Sequence, residues 1–371
     1  MSQVDESTLK RLALLVTGMI GAESASPAAV ARALHRMGLS RAKPESLERR
    51  IRRLENDPEV SASACFHPLA RRHLLLGHPQ ELVLIVDPTT QEDKLVMVSV
   101  AVWYRGRALP LVWAVWPGNT PLKGDGFWKR IDKLLSEVEA LLPVGVQVTV
   151  VADRAFGTPA FTDLVTRRKW DFVVRVQAQT VYRDHQHRKH RIRDLVAARG
   201  QRKKLRAEAF KKRGWRLVSI VAYWGRRHKT PLLLVSSLKP GWRLIRLYRQ
   251  RYPIEATFRD YKSAGWRWEQ GQVRDQAHVE RLLVGMALAT WIALMVGSWR
   301  AHQILSKPPT GKRRTRPWEA KYSLFRHGLE QLLAWLMAYP MPEFEWRLYD
   351  WPPIDWHNQL RFYHARAFVW A

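Results

Sequence analysis

Three carboxylates stand where they could do chemistry. Asp87 closes the apolar run "LVLIVD", Asp153 closes "VQVTVVAD", and Glu255 lies in "YRQRYPIEATFRDYK", Tyr248 to Lys262, between Arg249, Arg251, Arg259 and Lys262. Two acids at the ends of strands and a third from a helix would form an oxygen-rich cage for hard cations. Magnesium or manganese prefers such ligands, and a pair of ions can activate a nucleophile and stabilise a leaving oxygen in phosphoryl transfer. One strand-end Asp says little, because Asp is a common turn former and "DPTT" reads equally as an ordinary turn. Two on successive halves of one sheet say more: if their strands are neighbours, both carboxylates point into one crevice.

The spacing around the third acid can be tested by geometry. At roughly 100° per residue, Tyr248, Arg251, Glu255 and Lys262 fall within one narrow arc if all four share a helix. An acid flanked by cations and a phenol suits a metal and the phosphates around it, although a solvated amphipathic helix has the same spacing. Pro253 either starts the helix or kinks it. If it starts it, Tyr248 and Arg251 belong to a preceding turn and the arc covers only Glu255 and Lys262. Asp125 in "KGDGFW" and Glu269 in "WRWEQG" are rival ligands that their Gly-rich and turn contexts explain adequately.

The elements that position these acids follow from texture and composition. Of 371 residues, 62 are Lys or Arg and 33 Asp or Glu, a net charge of +29 spread along the whole chain, which attracts polyanions and suits a long nucleic-acid footprint. A ribosomal or membrane-surface protein would share that balance. With 46% hydrophobic residues the chain can build a core and two or three domains. Cys65 is the only cysteine, which excludes disulfides and thiolate zinc and fits a cytoplasmic location. Acids precede the first apolar run, against a secretory signal. "LLVGMALATWIALMVGSW", Leu282 to Trp299, is uncharged and near spanning length, but reads as a buried helix against a sheet rather than a membrane segment.

Residues 1–75 read as three short helices forming a DNA-binding domain, with Ser26 as N-cap before Pro27 and Pro44 opening the third. Arg49, Arg50, Arg52 and Arg53 crowd that third helix, either for a DNA groove or as a solvated basic face. Residues 76–300 read as a mixed sheet in the order β-β-β-α-β-α-β, with helices on its faces. Within them a basic, mostly β insertion spans about 177–240. Its "HQHRKH" is weak as a metal cluster and better as a surface against a nucleic-acid backbone. Residues 301–371 read as a helical region suited to dimerisation or to packing on the core. Most of the 18 Trp sit in apolar runs as core.

Tyr248-x2-Arg251-x3-Glu255-x6-Lys262 matches the YREK signature of bacterial insertion-sequence transposases of the DDE class, and "DPTT" and "ADRAFG" resemble that family's regions around its first and second Asp. The resemblance spans roughly Leu82 to Gly297. It implies an RNase H-like α/β domain with a β insertion before the third acid, and Asp87, Asp153 and Glu255 as ligands of two Mg²⁺ ions, with Mn²⁺ as substitute. It further implies cleavage of transposon ends by water, strand transfer by the freed 3′-hydroxyl, and cut-and-paste movement. Double-stranded DNA and a second copy of the chain, as a homodimer, would be the partners. Tyr248, Arg251 and Lys262 resemble the signature's phosphate contacts. Hairpin-forming relatives stack a flipped base on a Trp, for which Trp224 and Trp215 are candidates. Arg154, beside Asp153, could touch DNA or balance charge. The alternative is a catalytically silent DNA-binding relative, which the retention of all three acids disfavours.

Overall fold

The computed structural model describes residues 4–305, except 78, 92–93, 121, 123, 212–213, 272 and 274, and then residues 323–337, 343 and 345–349. It divides into two compact units, residues 78–258 and residues 1–77 with 259–371.

The first unit is built on one mixed sheet. Strands β1 (Glu81–Gln91), β2 (Leu95–Tyr104) and β3 (Arg107–Pro117) form an antiparallel meander of apolar, β-branched residues. Helix α5 (Gly126–Leu141) follows, burying Ile131, Leu134, Leu135, Val138 and Leu141 at helical spacing. Then come β4 (Gln147–Ala152), α6 (Pro159–Arg167) and β5 (Asp171–Arg175). Thr158 caps α6 by accepting from the Phe161 N–H, with Pro159 at the first helical position. β4 runs parallel to β1 and to β5, so the order is β3-β2-β1-β4-β5. This is the expected mixed sheet with flanking helices.

The insertion supplies β6 (Val181–Arg183), β7 (Lys189–Arg191), β8 (Arg202–Ala209), β9 (Arg216–Tyr223) and β10 (Leu232–Ser236). β10 pairs antiparallel with β5, so the insertion extends the same sheet to ten strands. Helices α7 (Arg243–Arg249) and α8 (Pro253–Arg259) return the chain.

The second unit is helical. It contains α1 (Glu6–Ala22), α2 (Pro27–Arg36), α3 (Pro44–Glu55), a π-helical turn (Ala62–Phe66), α4 (His67–Leu76), α9 (Gln276–Leu305) and α10 (Leu324–Met337). Asp5 caps α1 through the Thr8 N–H at 2.9 Å. Ser26 occupies the N-cap position of α2, but its side chain makes no cap bond. The fourth helix, α4, lacked a periodic signal because its polar "HPLARRH" start obscures its apolar face.

One expectation needs correction. The helix spanning Leu282 to Trp299 is the core of α9, and helices α1, α3 and α10 cover it rather than a sheet. α9 is long and apolar enough to cross a membrane, but almost all of that window is buried within the protein. The compact sheet-containing unit ends at Phe258. Residues 306–322 and 350–371, where the basic loop and aromatic tail fall, lie outside the described residues.

Candidate active site

Asp87 is not in a turn. β1 pairs with β2 through Asp87↔Ser99 and on to Gln91↔Leu95, whereas its parallel pairing with β4 ends at Val86↔Ala152. "DPTT" is therefore strand, and Pro88 falls where β1 has run out of a partner on the β4 side, a position that tolerates a missing N–H. Asp87 and Asp153 each stand one residue beyond that last pair, on adjacent strands. The β4 strand stops at Asp153 because its carboxylate turns back to accept the Ala155 N–H at 2.9 Å. Gly157 completes the turn: a side chain there would collide with the Arg175 carbonyl.

The segment around Glu255 consists of two helices. α7 ends at Arg249, and Gln250 to Tyr252 form a turn in which the Arg251 N–H donates to the Tyr248 carbonyl at 3.0 Å. Pro253 then opens α8, placing Glu255 in its first turn, where the helix dipole favours an acid. α8 is anchored by buried Ile254 and by the Thr257 hydroxyl donating to the Ala108 carbonyl of β3 at 3.0 Å. The single helical arc drawn from the spacing does not exist. Arg251 and Glu255 still meet, four residues apart across the α7–α8 turn.

Arg251 joins the acids. Its Nη1 donates to Asp87 Oδ1 at 3.0 Å and its Nη2 to Glu255 Oε1 at 2.6 Å. Tyr252 and Tyr248 flank the guanidinium, 5.2 Å and 6.0 Å from it to their ring centroids. Burial pushes the Asp87 carboxyl up to about 7, against the pull of Arg251 and with Asp153 and Glu255 adding to the rise. Burial weighs against the Arg251 charge, yet Asp87, Tyr248 and Glu255 hold it protonated.

Tyr248, expected at a phosphate, is only 1% exposed, and burial pushes its phenol up to about 12. It supports Arg251 from beneath rather than facing solvent. Tyr252, which the spacing argument passed over, is the exposed member of the pair. Its only sequence signal is an aromatic residue beside Arg251. Lys262 belongs to the helical unit, in a π-helical turn (Asp260–Ala264) where its ammonium pairs with Glu269 at 3.4 Å. That pairing also accounts for Glu269 without a ligand role. Asp125 sits exposed at the N-cap of α5. Arg154 is exposed beside Asp153. Half-buried Trp224 donates its indole N–H to the His228 carbonyl at 3.1 Å, and Trp215 lies under Arg183 at 4.8 Å, so both already have partners within the insertion. Arg49 and Arg52 lie on the exposed face of α3, with Arg52 paired to Glu48 at 2.8 Å.

Among the described residues, no group of three His, Cys, Asp or Glu is clustered closely enough to enclose a metal ion. The Arg251 guanidinium stands between Asp87 and Glu255. The donor chemistry fits a hard divalent cation even so. All three candidates are carboxylates, two of them, Asp87 and Glu255, share the single Arg251 cation, and Asp153 and Glu255 add to the rise that burial imposes on Asp87.

Residues 127–292 match the family described as Transposase DDE domain. The match takes in Asp153, Arg251, Glu255 and Lys262 and begins after Asp87. No curated protein matches the sequence. Among solved structures, the chain is similar to a cryo-EM structure of piggyBac transposase in a synaptic complex with hairpin DNA, at 10% identity, with 90% of this chain and 72% of that one covered and a TM-score of 0.40.

Proposed function

We propose that the protein is a DNA transposase that cleaves transposon ends and joins the 3′-hydroxyl strand to target DNA by a cut-and-paste route. The observation that carries this reading is the placement of Asp87 and Asp153 on adjacent strand ends, with Arg251 tying Asp87 to Glu255, in a chain whose residues 127–292 match a transposase DDE domain.

In this reading Asp87, Asp153 and Glu255 hold two divalent ions. Mg²⁺ or Mn²⁺ bound there would supply Lewis-acid activation of the attacking and leaving oxygens. The chain's own residues orient the reacting groups. β1 and β4 fix two carboxylates in register, and α8 presents the third from a helix pinned to β3. Arg251 and exposed Arg154 offer positive charge to the DNA backbone. The net charge of +29 suits a double-stranded partner over a long footprint, and a homodimer would pair the two ends.

A silent DNA-binding relative is favoured by one observation, the guanidinium lodged between Asp87 and Glu255. Cleavage of terminal inverted-repeat DNA in Mg²⁺ separates the two. The transposase reading expects Asp87→Asn, Asp153→Asn and Glu255→Gln each to lose cleavage by at least about 100-fold while DNA affinity stays near wild type. Full cleavage by any one would remove that residue from the site, and no cleavage by the wild type would favour the silent reading.

A further inference from the structure

Arg251 is a cation already seated where the acids need one. Its guanidinium spans Asp87 and Glu255, and its side chain is 11% exposed, against 60% for that of Glu255. The pair is therefore closed on the Asp87 side and open to solvent on the Glu255 side. Arg251 Nε is buried and finds no hydrogen-bond partner among the described residues, so its Nε/Nη2 edge is only half used there. That edge is the fork that matches two oxygens of a phosphate. Tyr252, 40% exposed, lies against the guanidinium and leads toward solvent.

A dication and a guanidinium sharing the same two carboxylates repel each other at short range, most strongly beside Asp87, where burial leaves little water to screen them. We propose that Arg251 is a place-holding cation. It neutralises Asp87 and Glu255 in the DNA-free protein, and its withdrawal to a DNA phosphate opens these carboxylates to a divalent ion. DNA and metal then bind with positive coupling through this one side chain, and by linkage each strengthens the other equally. Arg251 is on this view a positioning residue that keeps metal out until DNA arrives. The proposal rests on the carboxylates being the metal ligands, but not on the chain cutting DNA.

The test is Mn²⁺ binding to the full chain, followed by the paramagnetic resonance of free Mn²⁺, with and without a short duplex oligonucleotide. Wild type is expected to bind Mn²⁺ about tenfold more tightly with the duplex than without it. Arg251→Gln should bind without duplex about as tightly as wild type does with it, and its coupling should shrink toward one. Arg251→Lys, which keeps the charge but not the fork, should fall between. Asp153→Asn, which leaves both Arg251 ion pairs in place, should weaken Mn²⁺ binding and so tie the signal to this site.

Thermal unfolding supplies a second readout. Without metal Arg251→Gln should melt below wild type, and Mn²⁺ should raise its Tm by more than it raises that of wild type. Unchanged or weaker Mn²⁺ affinity in Arg251→Gln would overturn the proposal. Should that variant not fold, equal Mn²⁺ affinity in wild type with and without duplex, or Arg251→Lys indistinguishable from wild type, would overturn it instead. A chain that shows the Arg251→Gln gain yet never cleaves DNA would remove the transposase reading and leave this one.

Discussion

Arg251 Nη1 lies 3.0 Å from Asp87 Oδ1, a buried ion pair closed across 164 residues of chain. The same guanidinium reaches Glu255, whose side chain is mostly in water. One cation thus serves a dry acid and a wet one, and the two contacts differ in energetic weight.

Removing one partner of a buried pair strands the other, at a cost of about 3–5 kcal/mol, whereas an exposed pair is worth about 0–1 kcal/mol. Asp87→Asn keeps a hydrogen-bond acceptor for Arg251 and relieves the burial that pushes the Asp87 carboxyl up, so it should lose less than that range, about 1–2 kcal/mol. Glu255→Gln should lose under about 1 kcal/mol. Urea unfolding in chelator measures both, and equal losses would mean that Asp87 is solvated.

Glu55, on α3, is 3% exposed and its Oε1 finds no partner among the described residues. Burial pushes its carboxyl up from 4.5 to about 7. Its folded value lies above its unfolded one, so between these values the folded state holds more protons and stability falls as pH rises from about 4.5 to 7. Glu55→Gln should flatten this decline and raise stability by about 2 kcal/mol at pH 8 while changing little at pH 4. Urea midpoints at the two pH values test it, and a loss at pH 8 would show that the charged carboxylate is compensated.

α9 and α10 approach backbone to backbone at Gly297 and Gly328. A side-chain carbon on Gly328 would collide with the Ala293 carbonyl, and one on Gly297 with the Leu324 carbonyl. Gly328→Ala should therefore destabilise the helical unit by about 1–3 kcal/mol despite the better helix propensity of Ala. The double Ala variant should cost less than the sum, because one separation of the helices relieves both clashes. A rise in Tm for Gly328→Ala would show that the crossing is looser than this.

On α3, Leu47, Ile51 and Leu54 face inward while Arg49 and Arg52 face out. If this face meets DNA, Arg49→Ala should weaken binding to any duplex and reduce the salt slope by about 1. Arg52→Ala should do less, since Glu48 already holds that guanidinium. Slopes equal to wild type in both would assign the face to solvent.

Much of this protein is legible along its sequence. Alternating and continuous apolar runs marked the strands from β1 to β5 in order, because burial on a sheet demands β-branched residues at strand length. Asp87, Asp153 and Glu255 stood out because acids are rarely placed beside such runs without a partner. Composition carried the sign and size of the charge, which depend on no conformation. Tertiary structure decided what spacing could not. Whether Asp87 and Asp153 are neighbours depends on the β1–β4 register, a pairing between residues far apart in the chain. The turn before Pro253 broke the expected helix, moved Tyr248 into the core and left Arg251 reaching two acids, because proline starts a helix more readily than it continues one. α9 shows the same limit: its apolar sequence dictated burial, but a helix hydrophobic all round does not say which neighbours will cover it, and helices rather than strands do so here.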